Sequence, residues 1–212
     1  MRYDCVIWDW NGTLIDDMPV SLAAVNRILA VRGMPPISDA QYYDYIDTPI
    51  TKFYEHLFDL EKTDVSVLLR EFNANYDALL SGDEVSEGTR CALEAVKAVG
   101  ARQAVLSACE QTKLVKLLCE YGIAPYFTDV FGADDLHCRD KTDKAREYFA
   151  AEELDPERAV LIGDTVHDAS VASAVGCDCI LVRCGHQSAA ELEKVGCPLA
   201  ENAEDAVRMI LK

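Results

Sequence analysis

An aspartate at the end of a short apolar run, followed at once by a tight-turn segment, is placed to do chemistry on phosphorus. Cys5-Val6-Ile7-Trp8 ends at Asp9, and Trp10-Asn11-Gly12-Thr13-Leu14 follows. A carboxylate held there can attack a phosphoryl group as a nucleophile. Gly12 lets the backbone turn sharply, and the N–H groups freed by such a turn can hold phosphate oxygens. A second acid-bearing run, Gly163-Asp164-Thr165-Val166-His167-Asp168, follows the apolar stretch Ala159 to Ile162, and its two acids stand one helical turn apart. Together with Asp9 they make a set of hard oxygen ligands suited to Mg²⁺. Ser107, behind Ala104-Val105-Leu106, can donate a hydrogen bond to a phosphoryl oxygen. Lys141, in a loop between strands, can balance the charge of phosphate and nucleophile together. Plainer roles stand beside these. Asp9 could cap a strand end and Ser107 a helix start, while Asp168 could steady its own helix N-terminus. Lys144 competes with Lys141, and a loop lysine is commonly just solvated. His167 reads as an exposed helix-start residue or a substrate contact, and Asp134 and Asp135 read as loop acids.

The elements that must position these groups alternate along the chain. Strand candidates are Cys5 to Trp8, Ala104 to Leu106, Thr128 to Gly132, Ala159 to Ile162 and Cys179 to Val182. Their continuous apolar character suggests strands buried on both faces of a parallel sheet. Between them, Thr89 to Val99 puts Cys91, Leu93, Ala95, Val96 and Val99 near one stripe and stops at Gly100. Glu110 to Tyr121 repeats the form, with Leu114, Leu117, Leu118 and Tyr121 on one face and Gly122 behind. Asp155-Pro156-Glu157 reads as an N-cap with Pro at the first helical position, or as the turn into the next strand. The fold class expected is α/β: a doubly wound, Rossmann-like parallel sheet, with working groups at the carboxyl ends of its strands.

From Asp16 to about Asp83 no buried strand is legible. Pro19 to Arg32 reads as helix, Ser38 with Gln41 forms a capping-box pattern, and apolar periodicity runs through Phe53, Leu57 and Leu68 to Leu80. Such a stretch is too long for a plain connection. The expected organisation is therefore a core of residues 1–15 and 84–212 with an inserted α-helical cap domain at 16–83.

Composition narrows the partners. The 212 residues carry 20 basic and 37 acidic side chains, a net charge of −17, which argues against nucleic acid and anionic membranes. No apolar run approaches the ~18 residues of a membrane span, and Arg2, Asp4 and Asp9 are foreign to a signal peptide. A cytoplasmic protein, monomeric or weakly dimeric, is expected. Its nine cysteines are odd in number. Cys5, Cys91, Cys119 and Cys179 read as small hydrophobes, and Cys177, Cys179 and Cys184 lack zinc spacing. A disulfide framework is not expected.

In order and spacing these segments resemble the haloacid dehalogenase superfamily of phosphohydrolases over nearly the whole chain. Its first motif, Asp-x-Asp-Gly-Thr, corresponds to Asp9 to Thr13. Its strand-end Ser or Thr corresponds to Ser107, its lysine to Lys141, and its Gly-Asp-x-x-x-Asp to Gly163 to Asp168. The spacing favours Lys141 over Lys144. Gly88 and the helix up to Gly100 match the segment before the second motif, and a helical cap between the first two motifs is typical of the phosphoglycolate phosphatase and β-phosphoglucomutase branch. The resemblance implies a Mg²⁺-dependent phosphatase for a small phosphorylated metabolite, working through an aspartyl phosphate. It makes Asp9 nucleophile and metal ligand, Asn11 a main-chain ligand, and Asp164 the second carboxylate ligand, with Asp168 supporting the metal or Lys141. Ser107, Ala108 and Lys141 would hold the phosphoryl group, and Gly12 and Thr13 its loop. The cap would choose the substrate, with Lys52 in Pro49 to Lys52 offered to a substrate carboxylate.

Asn11 departs from the pattern. The family's phosphatases carry an Asp there that protonates the leaving alkoxide, and an amide cannot exchange that proton. General acid–base catalysis is worth roughly 10²–10⁴ in rate, so the expectation is one of three cases: slow ester hydrolysis or a substitute donor such as His167, a preference for acyl phosphates, or a phosphate-binding sensor. Other phosphate-handling designs do not fit. A receiver domain has no place for the insertion after Leu14, and neither a Gly-x-Gly-x-x-Gly nor a P-loop lysine pattern occurs. Dehalogenation proper does not call for the Asp164 and Asp168 pair. Phosphonate cleavage would need a Schiff-base lysine in the cap, for which Lys52 and Lys62 carry no sign of desolvation.

Overall fold

A computed structural model of the chain describes residues 2–133 and 141–212. Asp134 and Asp135 lie outside these residues. The chain divides into two compact units, one of Met1–Asp16 with Val85–Lys212 and the other of Asp17–Glu84.

The first unit is built on a six-stranded parallel sheet. Its strands are β1 (Cys5–Trp8), β2 (Arg102–Glu110), β3 (Asp129–Ala133), β4 (Ala159–Gly163), β5 (Asp178–Val182) and β6 (Leu199–Ala200). They lie in the order β3-β2-β1-β4-β5-β6. The chain thus winds one way from β1 to β3 and the other way from β4 to β6, so the switch point falls between β1 and β4. Trp8 at the end of β1 is level with Val105 of β2 and Ile162 of β4. That register brings the residues just beyond, Asp9 and the Gly163-Asp164 pair, to one edge of the sheet. The strands are apolar because both faces are covered. One face packs Cys5, Ile7, Leu106, Leu161 and Leu181 against Tyr148, Val171 and Leu192.

The helices of the second unit are α1 (Met18–Val31), α2 (Asp39–Tyr45), α3 (Thr51–Glu55) and α4 (Val65–Asp77). Those of the first are α5 (Glu87–Ala98), α6 (Gln111–Glu120), α7 (Lys141–Ala151), α8 (Val166–Val175), α9 (Ala189–Glu193) and α10 (Ala203–Ile210). The helical unit has its own core of Val25, Ile28, Leu29, Ile37, Tyr42, Phe53, Tyr54 and Leu68. Ser38 and Gln41 form the capping box read from the sequence. Asn26 pins the following loop by bonding both the N–H and the carbonyl of Ile37, at 2.8 and 3.0 Å. Tyr76 donates to the fully buried Asp17 at 2.7 Å, which gives that carboxylate a partner where the unit begins.

Several local expectations need correction. β2 does not stop at Leu106 but runs on to Glu110, and β6 is too short to show as an apolar run. Lys141 opens α7 rather than lying in a loop. The buried stripe of α5 is Thr89, Ala92, Leu93 and Val96, while Cys91 and Val99 face solvent. Cys119 is likewise exposed, on the outer side of α6. Both cysteines follow helical phase rather than the apolar character of their neighbours. Asp155 caps a short 3₁₀ turn, Pro156–Arg158, ahead of β4. No described helix is long and apolar enough to cross a membrane.

Candidate active site

Asp9 stands directly after β1, its N–H donating to the Ile162 carbonyl of β4 at 2.9 Å. The chain then turns. The Trp10 carbonyl accepts from the N–H groups of Thr13, Leu14 and Ile15, with Gly12 at φ +73°. That angle alone favours glycine, and packing adds a second reason. A Cβ on Gly12 would overlap the Asp164 carboxylate and lie 2.7 Å from the His186 ring.

Lys141 supplies the central cation. From the first turn of α7 its Nζ donates to Asp9 Oδ1 and to Asp168 Oδ1, both at 2.5 Å. All three side chains are buried. Burial alone would discharge this lysine, but Asp168 and Asp9 outweigh it and hold its pKa above the usual lysine range. The two carboxylates fare differently. Burial also opposes the charge of Asp168, yet Lys141 and the Thr165 hydrogen bonds bring its pKa below the ordinary value. Its Oδ2 accepts from Thr165 Oγ1 at 2.7 Å and from the Thr165 and Asp164 N–H groups at 3.0 and 3.2 Å. Thr165 and Asp168 thereby form the capping box of α8, so one side chain both caps this helix and pairs with Lys141. Asp9 is held by Lys141 and by the Trp10 N–H. Burial first, then the facing Asp168 charge, raises its pKa despite Lys141.

Asp164 is fully buried. It accepts from Thr13 Oγ1 at 3.1 Å and from the His186 N–H at 2.6 Å, two neutral donors. Burial, and next the Asp9 charge, push its pKa well above the usual carboxylate range. Carboxylate oxygens of Asp9, Asp164 and Asp168 lie within 4.8 Å of one another. A buried group of hard oxygens, partly neutralised by one ammonium, fits a divalent cation such as Mg²⁺.

Ser107 is buried inside β2 rather than at its end. The strand loses register with β3 between Leu106 and Glu110, and Ser107 Oγ accepts from the Cys109 N–H at 3.0 Å across that bulge. Its own O–H remains available to donate. Ala108 beside it is exposed. Where β2 leaves β3, the Gln111 side chain takes over, donating to Val130 O at 3.1 Å and accepting from Gly132 N–H at 2.5 Å. Lys144, the rival of Lys141, donates instead to the Gly132 carbonyl. His167 is half-buried at the start of α8. Lys52, in the helical unit, forms a half-exposed ion pair with Asp47 at 2.9 Å.

The loop after β5 escaped the sequence reading. Gly185 has no room for a side chain, since a Cβ there would overlap the Asp164 carboxylate. The next residue, His186, donates its N–H to that same group, and Gln187 Oε1 accepts from Val166 N–H at 2.7 Å, meeting an otherwise open donor of α8. The available signal was position: the loop leaves a strand adjacent to β4 at the carboxyl edge. Gly185→Ala should therefore displace Asp164, costing about 1–3 kcal/mol of stability and at least ~10-fold in kcat. Denaturant titration and initial rates on the same preparation check both.

Sheet order, strand-end acids and the buried lysine define a class of enzyme, a doubly wound hydrolase core with a carboxylate at the end of its first strand. The chain belongs to the haloacid dehalogenase-like hydrolase family, which it matches over residues 6–182. It is 28% identical to phosphoglycolate phosphatase 1 of Pseudomonas aeruginosa over 214 residues, which span 95% of this chain and 75% of that one. Identity to the phosphoglycolate phosphatase of Nitrosospira multiformis is 27%, over 98% of this chain and 95% of the other. A haloacid dehalogenase-like family hydrolase from Streptococcus pneumoniae shares the fold, with a TM-score of 0.85, 17% identity and 99% of each chain covered.

Proposed function

We propose that this chain is a Mg²⁺-dependent phosphatase of a small phosphorylated metabolite, acting through an aspartyl phosphate on Asp9. The observation that carries the reading is the Lys141 ammonium, 2.5 Å from both Asp9 and Asp168 at the switch point of the sheet. An Asp9 oxygen bonds to phosphorus while the ester P–O bond breaks, and the leaving oxygen takes up a proton. A water oxygen then attacks the same phosphorus, the bond to Asp9 breaks, and inorganic phosphate leaves. Lys141 stays protonated throughout and draws the phosphoryl oxygens in, while Asp168 fixes its position. The Ser107 hydroxyl, its oxygen already occupied by the Cys109 N–H, donates to the phosphoryl group. Mg²⁺ bound by Asp9, Asp164 and the Asn11 carbonyl would screen the phosphate from the carboxylate that attacks it.

Phosphoglycolate is the first substrate to test, because the relatives carry its name. If Lys52 binds the carboxylate of such a substrate, Lys52→Met should raise KM for phosphoglycolate about tenfold and leave a nitrophenyl ester unaffected. Phosphate release should be measured across phosphoglycolate, sugar phosphates, a nitrophenyl ester and acetyl phosphate. Release that is lost with EDTA and restored by Mg²⁺ supports the reading; release indifferent to chelation contradicts it.

One observation favours a second reading. Asn11 cannot protonate an alkoxide, as a phosphate-binding sensor would not need to. Asn11→Asp should raise ester turnover about 10²-fold while changing acetyl phosphate little, since that leaving group needs no proton. Silence from both proteins, with phosphorylated ligands still bound, would support the sensor.

A further inference from the structure

Two cysteines outside the catalytic cluster lie on neighbouring segments, Cys179 within β5 and Cys197 two residues before β6. β5 and β6 pair in parallel with Leu181 opposite Leu199 and Val182 opposite Ala200. The same offset, carried two residues back, sets Cys197 opposite Cys179. The Leu181 N–H still donates to the Pro198 carbonyl at 3.0 Å, so the strands have not yet diverged there. Cys179 is buried beneath α8, and Cys197, half-buried, packs against the same apolar cluster. After burial, the Cys197 thiol is the neighbour that most raises the Cys179 pKa, which places the two side chains close together. Adjacent strands lie about 4.8 Å apart, within the range of Cα separations that a disulfide spans. Gly196, at φ +79°, turns the chain directly before Cys197, with open space where a side chain would lie.

We infer that Cys179 and Cys197 form a reversible disulfide when a small disulfide oxidant such as glutathione disulfide is in excess. The Cys197 sulfur, the more accessible, attacks one sulfur of the oxidant and releases the first glutathione thiolate. The Cys179 sulfur then attacks Cys197 Sγ and displaces the second. Two thiols lose two protons and two electrons; the oxidant gains both and leaves as two thiols. Burial and the neighbouring Cys197 hold the Cys179 thiol protonated, so the second step is the slow one and the mixed disulfide accumulates first. The ring closes around residues 180–196, which include Gly185 and His186, the residues packed on Asp164. Oxidation therefore staples the loop that completes the active site.

The test uses the full chain and does not depend on turnover. Reduced protein is equilibrated over a series of glutathione ratios, quenched in acid, alkylated, digested and weighed by mass spectrometry. Cys179 and Cys197 should both be lost to alkylation and appear as one cross-linked peptide pair lighter by two hydrogens. The same bond should form in Cys177→Ser. In oxidised protein the melting temperature should rise by about 5 °C, and Cys197→Ser should show neither the bond nor the rise. A stable glutathione adduct on Cys197 with Cys179 still alkylatable after unfolding would overturn the inference. So would bonds that join either cysteine to Cys177 or Cys184.

Discussion

Asp9→Asn should lower phosphate release at least ~10⁴-fold for esters and acyl phosphates alike, because both need the carboxylate as nucleophile. The loss should come without loss of stability. Burial and the Asp168 charge raise the pKa of Asp9 in the folded state. A group raised in this way stabilises the fold below its unfolded pKa, about 3.9, and that contribution is lost as pH rises through the folded value. Above that range and without a divalent cation, the Asp9 carboxylate is a burden that Asn does not carry. The variant should then melt no lower than the wild type in EDTA, and its advantage should grow as pH rises above the unfolded value. Mg²⁺ should stabilise the wild type more than the variant. Retained turnover would remove Asp9 from the nucleophile's role, and a large stability loss would contradict the electrostatics.

Lys141→Met should act on both stability and rate. The side chain is nearly as long, so the packing volume is largely kept while two buried carboxylates lose their shared countercharge. Breaking a buried pair from one side costs about 3–5 kcal/mol, equivalent to roughly 10 °C in a chain of this size. Its pH dependence runs opposite to that of Asp9. The Asp168 pKa is lowered in the fold, so its contribution is present above the unfolded value and lost as pH falls through the folded one. The wild type should therefore exceed Lys141→Met most at neutral pH and converge with it in acid. Turnover should fall about 10²–10³-fold through the missing charge on the phosphoryl oxygens. Lys141→Arg should not rescue either property, since a planar guanidinium does not fit where a compact ammonium sits between two oxygens. Urea titrations from acid to neutral pH, with rates at saturating Mg²⁺, test this. Unchanged stability at neutral pH would mean that the ion pairs are not formed in solution.

Much of the site was legible because its signals are short. Asp9 follows a four-residue strand, Gly12 comes within the same turn, and Asp164 with Asp168 mark the end of one strand and the start of its helix. Asp168 caps α8 through a Ser/Thr-x-x-acid pattern that needs only local spacing. The helical unit was legible through the Ser38 capping box and the periodicity around Leu68. Errors arose where neighbours in space overrule neighbours in sequence. Ser107 reads as a strand end, but β3 and the Gln111 side chain carry β2 through a bulge and past it. Cys91 reads as core because its segment is apolar, yet the phase of α5 against the sheet turns it outward.

The sequence by itself determined which residue types stand at the strand ends, the strand–helix alternation that makes a doubly wound sheet, and the absence of an acid at Asn11. The elements follow from continuous apolar runs and a period of 3.6 residues, which operate over a few positions, and the departure at Asn11 from the family motif that the segment resembles. Spacing already favoured Lys141 over Lys144, but only the tertiary structure set its ammonium against Asp9 across 132 residues of chain. It alone set Gly185 and His186 against Asp164, and it gave three similar aspartates different charge preferences. Those outcomes depend on burial and on distances between charges, and both are created when separate strands are brought side by side.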